Sequence, residues 1–274
     1  MLSKSIKHEF RATSRVMLPL FAALLLVSVV AHFALRMLVK SDNLHWFLET
    51  VGVIIIILFA ISVIAIAVGV LILTVNRFYR SFLSDEGYLN MTLPVGVHTH
   101  IFSRLIVAVI WYTLTVAAAM LAGLLVGLDA HGWKEFFFGI GDVLRAISQH
   151  HLTGHAIVLG LELILAVVMG SCFGSLLLYA AMAVGHSFNR HKKGMSVLFA
   201  FIFYYAVQFL GIIGIAILSR ADLSKWFEFS ADNISHALST MQLVIGGALV
   251  VDLIGCAVFY FVTHFFLSKK LNLQ

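Results

Sequence analysis

Six long apolar stretches, separated by short polar segments, make up most of the sequence. A bilayer core about 30 Å thick requires roughly 20 helical residues to cross it. Helices satisfy their own backbone polar groups in lipid, and no alternating pattern typical of a membrane barrel occurs. The sequence therefore predicts an all-α polytopic membrane protein with six transmembrane helices. The predicted spans are about 17–38, 48–75, 101–128, 155–185, 194–218 and 238–266.

Two of the loops between the predicted spans carry apolar side chains at helical spacing. Such loops are typical of short helices that lie in the membrane interface with aromatic anchors. A role in gating a substrate path is the alternative. The residues concerned are Trp133, Phe136, Phe137, Ile140, Leu144 and Ile147 in the first loop, and Leu223, Trp226, Phe227 and Ile234 in the second.

The first sixteen residues are amphipathic. At about 100° per residue, Ile6, Phe10 and Thr13 fall on one side, and four basic residues cluster on another. This pattern predicts an interface helix over residues 1–16, lying flat in the headgroup region before the chain turns into an uncleaved first span. A plain basic flank of that span is the alternative. The clustered basic residues are Lys4, Lys7, Arg11 and Arg15.

Composition strengthens the membrane prediction. Of the 274 residues, 61% are hydrophobic and only 11% are charged, whereas soluble domains carry about 25% charged residues. Mean hydropathy is +1.03. No polar stretch is long enough for a soluble domain. The net charge of +5 does not indicate a nucleic-acid partner, because the basic residues stand at the ends of the apolar stretches. Cys172 and Cys256 lie inside apolar stretches and predict no disulfide framework.

The distribution of lysine and arginine predicts the orientation. Six spans put both termini on one side, and that side carries twelve basic residues against six on the other. The basic side faces the cytoplasm in most membrane proteins, so both termini are predicted to be cytoplasmic. The twelve are Lys4, Lys7, Arg11, Arg15, Arg77, Arg80, Arg104, Arg190, Lys192, Lys193, Lys269 and Lys270, and the six are Arg36, Lys40, Lys134, Arg145, Arg220 and Lys225.

The segment between the second and third spans, residues 84–95, mixes aromatic, acidic and apolar residues. Its first residues, Ser84 and Asp85, suit the start of a short helix, where acidic groups favour the positive end. Pro94 ends that helix, because the residue before a proline favours an extended conformation. An apolar ring such as that of Tyr88 is poorly placed in solvent unless a partner covers it. The segment therefore predicts a short, rigid knob that docks on another protein.

Short motifs carry a resemblance to a known family. They are EFRATSR at 9–15, DEGYL at 85–89 and TLPV at 92–95, followed by Arg104 within span 3. With six spans, the chain resembles the permease subunits of ABC-2 type (type V) ABC transporters, above all those of Gram-positive bacteria. It departs from the family pattern at Asn90, where an apolar residue is usual, and at Gly96, where serine is common.

The resemblance implies roles for two groups of residues. Residues 84–95 would form a coupling helix that sits in a cleft of a separate ATPase, and residues 1–16 an interface helix that also touches it. The implied coupling residues are Asp85, Glu86, Gly87, Tyr88, Leu89, Thr92, Leu93 and Pro94. The implied interface residues are Lys4, Lys7, Phe10, Arg11 and Arg15.

The resemblance also implies an assembly in the bacterial cell membrane. Two permease chains, identical or related, would join two ATPase chains that bind ATP and Mg²⁺. This chain has no G-x-x-x-x-G-K-[ST] motif, so we expect it to bind no cofactor and to be no enzyme. The implied substrate is amphipathic: a peptide antibiotic, a lipid-like molecule or a drug. A non-transporting sensor with the same coupling knob is an alternative.

Polar residues inside the predicted spans are candidates for a substrate path. Asp252 and Glu162 are ionisable at membrane depth, which is a functional hypothesis by default. Tyr204 and Gln208 form a polar stripe on span 5. Structural hydrogen bonding and helix packing are the alternatives, and ion coupling through the two acids would make the chain a secondary transporter. His151 and His155 have zinc-helix spacing but lack the adjacent glutamate, so we expect no metal site.

Overall fold

The computed structural model describes residues 2–40, 46–83, 96–149, 152–188, 191–220 and 234–269. These residues form seven helices and contain no strand. Six of the helices are long and apolar enough to cross a membrane, so the prediction of an all-α structure with six candidate membrane spans is confirmed. The helices are α1 (Leu2–Lys40), α2 (Trp46–Phe82), α3 (Val97–Gly127), α4 (Ala130–Gln149), α5 (Thr153–Gly185), α6 (Lys192–Arg220) and α7 (Ile234–Lys269).

The six apolar helices extend beyond the predicted spans. The longest, α1 and α2, have 39 and 37 residues. At about 1.5 Å per residue these helices are close to 60 Å long, which exceeds a bilayer core of about 30 Å. The ends of these helices therefore reach into the headgroup region or beyond it.

Helix α4 confirms that the first of the two predicted loops is helical, and its position in the membrane interface stays a prediction. It has 20 residues and contains no buried side chain. Asp129 caps its start, since the Asp129 carboxylate accepts a hydrogen bond of 2.7 Å from the backbone N–H of Gly132. That bond and the nearby Arg36 lower the pKa of Asp129. The second predicted interfacial helix, at Leu223, Trp226 and Phe227, lies outside the described residues.

The predicted turn between an interface helix at 1–16 and the first span is wrong, since Leu2–Lys40 is one continuous helix that includes Pro19. The reason is a single buried stripe that runs past residue 16. Thr13, Met17 and Leu24 lie on one side of α1 and are each at most 1% exposed. Packing along this stripe keeps the two parts of the helix in line.

The chain divides into two compact units, which are described separately. Unit 1 comprises Met1–Asn76 and Ile106–Val143, and unit 2 comprises Arg77–Leu105 and Leu144–Gln274. Helices α2, α3 and α4 contribute to both. In unit 1, α1, α2 and α3 enclose one apolar core. Its buried members are Met17, Leu24, Ile66, Val70, Val107, Trp111 and Ala122.

Unit 1 is also tied together away from this core. Arg36 Nη2 of α1 donates a hydrogen bond of 2.5 Å to the carbonyl of Gly127, the last residue of α3. A cation suits this place because the last carbonyls of a helix carry partial negative charge. Nearby, Leu38 of α1 lies against Gly52 of α2, where an added Cβ would be 3.0 Å from the leucine.

In unit 2, α5 packs against both α6 and α7. The ring of Phe173 fills the space beside Gly255 of α7 and meets Phe259 edge-on, with ring centroids 5.5 Å apart. Gly185 allows the other close approach, since its Cα lies against the backbone of Ser196 on α6 and an added Cβ would be 2.3 Å from Ser196 N.

Candidate functional site

The predicted apolar side of residues 1–16 packs on α3 within unit 1. The ring of Phe10 stacks on Trp111 with centroids 4.9 Å apart and an interplanar angle of 7°. Trp111 Nε1–H donates a hydrogen bond of 2.8 Å to Thr13 Oγ1. These first turns therefore rest on a protein surface, whereas the sequence predicted lipid headgroups as their support.

The predicted basic side of the same turns is exposed. Its four basic residues carry their charges on the surface of α1, away from Trp111. The separation of an apolar side from a cationic side is therefore confirmed, and it leaves a strip that can meet an acidic surface. The members of this strip are Lys4, Lys7, Arg11 and Arg15.

Residues 84–95 lie outside the described residues, so the coupling roles of Asp85, Glu86, Gly87, Tyr88, Leu89, Thr92, Leu93 and Pro94 stay predictions. The residues on either side of this segment are described and belong to unit 2. Phe78 stacks on Tyr179 of α5, with ring centroids 4.1 Å apart and an interplanar angle of 13°. This contact joins the last turns of α2 to α5.

The helix that follows the segment is joined to the helix before it. The ring of Phe82 meets His100 of α3 edge-on, at 6.4 Å between centroids. The guanidinium of Arg104 lies 4.9 Å from the centre of the Phe82 ring, and its Nη1 donates to the His100 carbonyl at 2.9 Å. Phe82, His100 and Arg104 are all buried. The basic residue that the family motif places in span 3 therefore helps to hold the two ends of the segment together.

The ends of α5 and α2 meet the start of α6 in a second cluster of unit 2. His186 Nδ1 lies 2.9 Å from Ser196 Oγ and 3.0 Å from the Met182 carbonyl. The Tyr79 ring lies 5.4 Å from the His186 ring, and Lys193 Nζ lies 5.6 Å from the centre of the Tyr79 ring.

Burial lowers the pKa of His186, and the nearby ammonium groups of Lys192 and Lys193 lower it further, against the raising effect of the Met182 carbonyl. We therefore expect a neutral His186 at neutral pH. The positive charge of this cluster then comes from lysine and arginine side chains.

The two acids inside the predicted spans, Glu162 and Asp252, lie on α5 and α7, and these two helices pack against each other. Asp252 is partly buried, whereas Val251 and Leu253 beside it are largely exposed. Glu162 is partly buried as well, and its Oε2 atom is buried without a hydrogen-bond partner among the described residues.

Contacts on both sides of these acids fix the register of α5 and α7. Before them, His155 Nδ1 lies 3.0 Å from Gln242 Oε1, and Gln242 Nε2 donates to the His155 carbonyl at 2.7 Å. After them, Phe173 meets Phe259. Glu162 and Asp252 therefore belong to one seam between the two helices.

The polar stripe on span 5 lies elsewhere. Tyr204 and Gln208 are exposed on α6, and Tyr204 is in contact with the neighbouring Tyr205 ring. The two residues do not join Asp252 and Glu162 in the described structure. Their exposure leaves them facing lipid or another chain.

Histidines make contacts that the sequence did not predict. His151 lies outside the described residues, and no group of three histidine, cysteine or acidic side chains converges within the described ranges. A ring cluster that the sequence did not predict joins α3 to α7. His98 stacks on His264 with centroids 4.2 Å apart and is hydrogen-bonded through Nδ1 to the Tyr260 hydroxyl. The spacing of Tyr260 and His264, one helical turn apart, was the only available signal.

Comparison with known proteins finds no matching family model, and neither a curated protein nor a solved structure with significant similarity to this chain. The chain is therefore characterised by its own geometry. It has six apolar helices and an amphipathic N-terminal section that packs on α3. The helices on either side of residues 84–95 are held by the buried side chains of Phe78, Phe82 and Arg104, which we call the buried frame.

Proposed function

We propose that this chain is the permease subunit of an ATP-driven ABC-2 type exporter in the bacterial cell membrane, with both termini in the cytoplasm. A second permease, identical or related, would complete the path, and two separate ATPase chains would bind ATP and Mg²⁺. The substrate would be amphipathic, as a peptide antibiotic, a lipid-like molecule or a drug is. The chain itself would bind no cofactor and no nucleic acid.

The observation that carries this proposal is the buried frame around residues 84–95. The segment is short, and the helices on either side of it are anchored through Phe78, Phe82 and Arg104. A load on a segment held in this way passes into the helices on either side, because close-packed interiors transmit strain. A coupling element requires this property, whereas a plain connecting loop does not.

The mechanism follows from that frame. ATP binding would draw the two ATPases together and displace each docked 84–95 segment. Phe78 would pass the displacement to Tyr179 on α5, and Arg104 would pass it to α3. The exposed basic strip on α1 offers a second, electrostatic contact to the ATPase. Each of these steps moves helices and requires no chemistry in this chain.

Co-purification with candidate ATPases tests the proposal. Wild-type chain should retain an ATPase through detergent extraction, and Glu86→Arg or Tyr88→Ala should lose most of it. Glu135→Arg is the matched charge reversal, because Glu135 is exposed on α4, and it should retain the ATPase. If the wild-type chain captures no ATPase that hydrolyses ATP, the proposal is wrong.

The seam between α5 and α7 favours a second candidate function, an ion-coupled secondary transporter. Glu162 carries a buried carboxylate oxygen without a partner in the described structure, and Asp252 shares the seam. Acidic groups at such depth are typical of ion and proton paths. Asp252→Asn should abolish transport under this function and leave ATP-driven transport largely intact under the first. Transport into inverted vesicles, with ATP or with an ion gradient alone, separates the two.

A further inference from the structure

A cluster of aromatic side chains in unit 2 joins the start of α3 to the end of α7. The imidazole rings of His98 and His264 are stacked, with centroids 4.2 Å apart and an interplanar angle of 14°. His98 Nδ1 is hydrogen-bonded to the Tyr260 hydroxyl, and the Tyr260 ring meets Phe102 at 5.3 Å between centroids. Two groups that can each take up a proton near neutral pH are therefore held face to face across two helices.

Both imidazole rings lie near helix ends. His98 is one residue past the start of α3 at Val97, and His264 is five residues before the end of α7 at Lys269. His98 is exposed and His264 is partly exposed. Protons in the surrounding water can therefore reach the pair without passing along the apolar middle of either helix.

The stacked arrangement does not suit a shared metal ion. A histidine binds a metal through a ring nitrogen, so the ion lies close to the plane of that ring. The planes of His98 and His264 are nearly parallel, and one ion would not lie in both. The pair is suited to a change of charge, and not to a common ligand.

The charge of the pair decides whether the contact is favourable. Two neutral imidazoles stack as other aromatic rings do. A single proton leaves one cation beside a neutral ring, so no like charges face each other. A second proton places two positive charges about 4 Å apart, and like charges at this distance repel each other. The contact between α3 and α7 is therefore opposed only in the doubly protonated state.

The neighbouring titratable groups do not offset a second positive charge. Among the described residues, His98 is the group whose charge acts on His264. Helix α2 reaches this part of α3 through Phe82, and its described residues 76–82 include no aspartate or glutamate. Asp85 and Glu86 lie outside the described residues. The other titratable residues of 96–105 and 257–269 are His100, Arg104, Tyr260 and Lys269, and none of them is an acid.

We propose that His98 and His264 form a pH-sensitive contact between α3 and α7, which is intact at neutral pH and is lost when acid protonates both rings. The proposal stands on the described contacts and does not depend on the proposed function. Because α3 directly follows residues 84–95, loss of the contact would release the helix that leaves this segment from α7.

A distance measurement between two spin labels tests this contact. Gly96→Cys and Ser268→Cys place the labels at exposed positions near the two rings, in a chain that carries Cys172→Ser and Cys256→Ser. The chain is placed in nanodiscs of phosphatidylcholine, and the distance distribution is recorded at pH 7.5 and at pH 5.0. The population at longer distance should rise about fivefold or more in acid, because two unit charges about 4 Å apart repel each other by about that factor even in water.

Ring substitutions in the labelled chain separate this contact from a general effect of acid. His264→Phe keeps an aromatic ring in the stack but takes up no proton, so its distance distribution should be the same at both pH values. His98→Phe should give the same result from the other side of the stack. His191→Asn removes an exposed histidine of the same unit outside the cluster and should keep the full response.

Three results would overturn the proposal. The first is a distance distribution that does not change with pH when both histidines are present. The second is a full response in the two phenylalanine variants, which would assign the acid effect to other groups. The third is loss of the response in His191→Asn.

Discussion

The two halves of α5 differ sharply in how many of their side chains are buried. Residues 153–170 contain no buried side chain, whereas almost every residue from Ser175 to Gly185 is buried. Both halves are similarly apolar, so hydrophobicity does not separate them. In a bilayer, lipid satisfies an apolar side chain as well as protein does, and burial there reports packing. The second half is therefore enclosed by protein, and the first half, apart from its contacts with α7, presents a surface to lipid or to another chain.

This difference separates a packed half of α5 from a half that is open except for its side toward α7. The packed half contacts Phe78 beside residues 84–95. The open half carries Glu162 on the seam with α7. Under the proposed function, the packed half would receive the displacement of residues 84–95, and the open half would face the substrate path or the second permease. Four predictions test or refine this comparison, and they run from the largest expected effect to the smallest.

Removal of a large aromatic ring from the packed half of α5 should lower the free energy of unfolding more than the other substitutions do. Tyr179 is 1% exposed, and Tyr179→Ala should lower the free energy of unfolding by about 3 kcal/mol through the cavity that it leaves. Leu161→Ala, in the open half, should change it by less than about 0.5 kcal/mol. The measurement is a denaturant titration in mixed micelles. Equal costs at both positions would contradict the comparison.

Adding a methyl group should have opposite effects in the two halves. An alanine Cβ at Gly185 would lie 2.3 Å from the Ser196 backbone, where nothing flexible can give way. Gly185→Ala should therefore lower the free energy of unfolding by about 2 kcal/mol. Gly170 has no atom within 4 Å of such a Cβ, and Gly170→Ala should be neutral or slightly stabilising. The same titration distinguishes these outcomes, and a neutral Gly185→Ala would show that α5 and α6 are not in close contact.

In unit 1, a buried and an exposed threonine provide the same comparison with a smaller expected effect. Thr13→Val keeps the shape of a buried side chain but leaves Trp111 Nε1–H without its acceptor, which should cost about 1 kcal/mol. Thr50→Val removes a similar hydroxyl at an exposed position, where Thr50 Oγ1 donates a hydrogen bond to the Trp46 carbonyl of its own helix. It should have no measurable effect. Trp111 fluorescence should shift in Thr13→Val alone, and an unchanged spectrum would argue against the hydrogen bond.

Acidic pH should slightly lower the stability of the packed half of α5, through His186 at its end. The pKa of His186 is lowered in the folded state, so the folded chain binds that proton less readily than the unfolded chain does. Stability is then fully present above about pH 6.5, the ordinary histidine value, and falls as the pH drops below it. His186→Gln should reduce the slope of melting temperature against pH between 7.5 and 5.5. A variant with the wild-type slope would assign the acid sensitivity to other groups.

The sequence predicted the number of apolar helices, but it did not predict which of their side chains pack against other helices. The reason is physical. Helices such as α5 and α6 are apolar all round, so no polar side marks the direction that faces lipid. The burial of Tyr179 and the exposure of Ile164 therefore could not be distinguished in advance. Helix α4 is different, because alternating polar and apolar sides made it recognisable.

The N-terminal section shows the same limit. Its two sides were visible from the spacing of Phe10, Thr13 and the basic residues. The partner of the apolar side could not be identified, because nothing in the sequence distinguishes Trp111 in span 3 from an aromatic residue that faces lipid. The register of α5 and α7, fixed by His155 and Gln242, was equally hidden. A polar pair across two spans becomes visible only when the helices are placed.

The most direct test of the account is a photo-crosslinking amino acid placed at Tyr88 in living cells, with the same probe at the exposed Phe138 of α4 as the control. Mass spectrometry then identifies the captured chains. The account predicts that position 88 captures a protein with a nucleotide-binding P-loop and that position 138 does not. Capture of no such protein at position 88, or equal capture at both positions, would contradict the claim that this chain is the membrane half of an ATP-driven transporter.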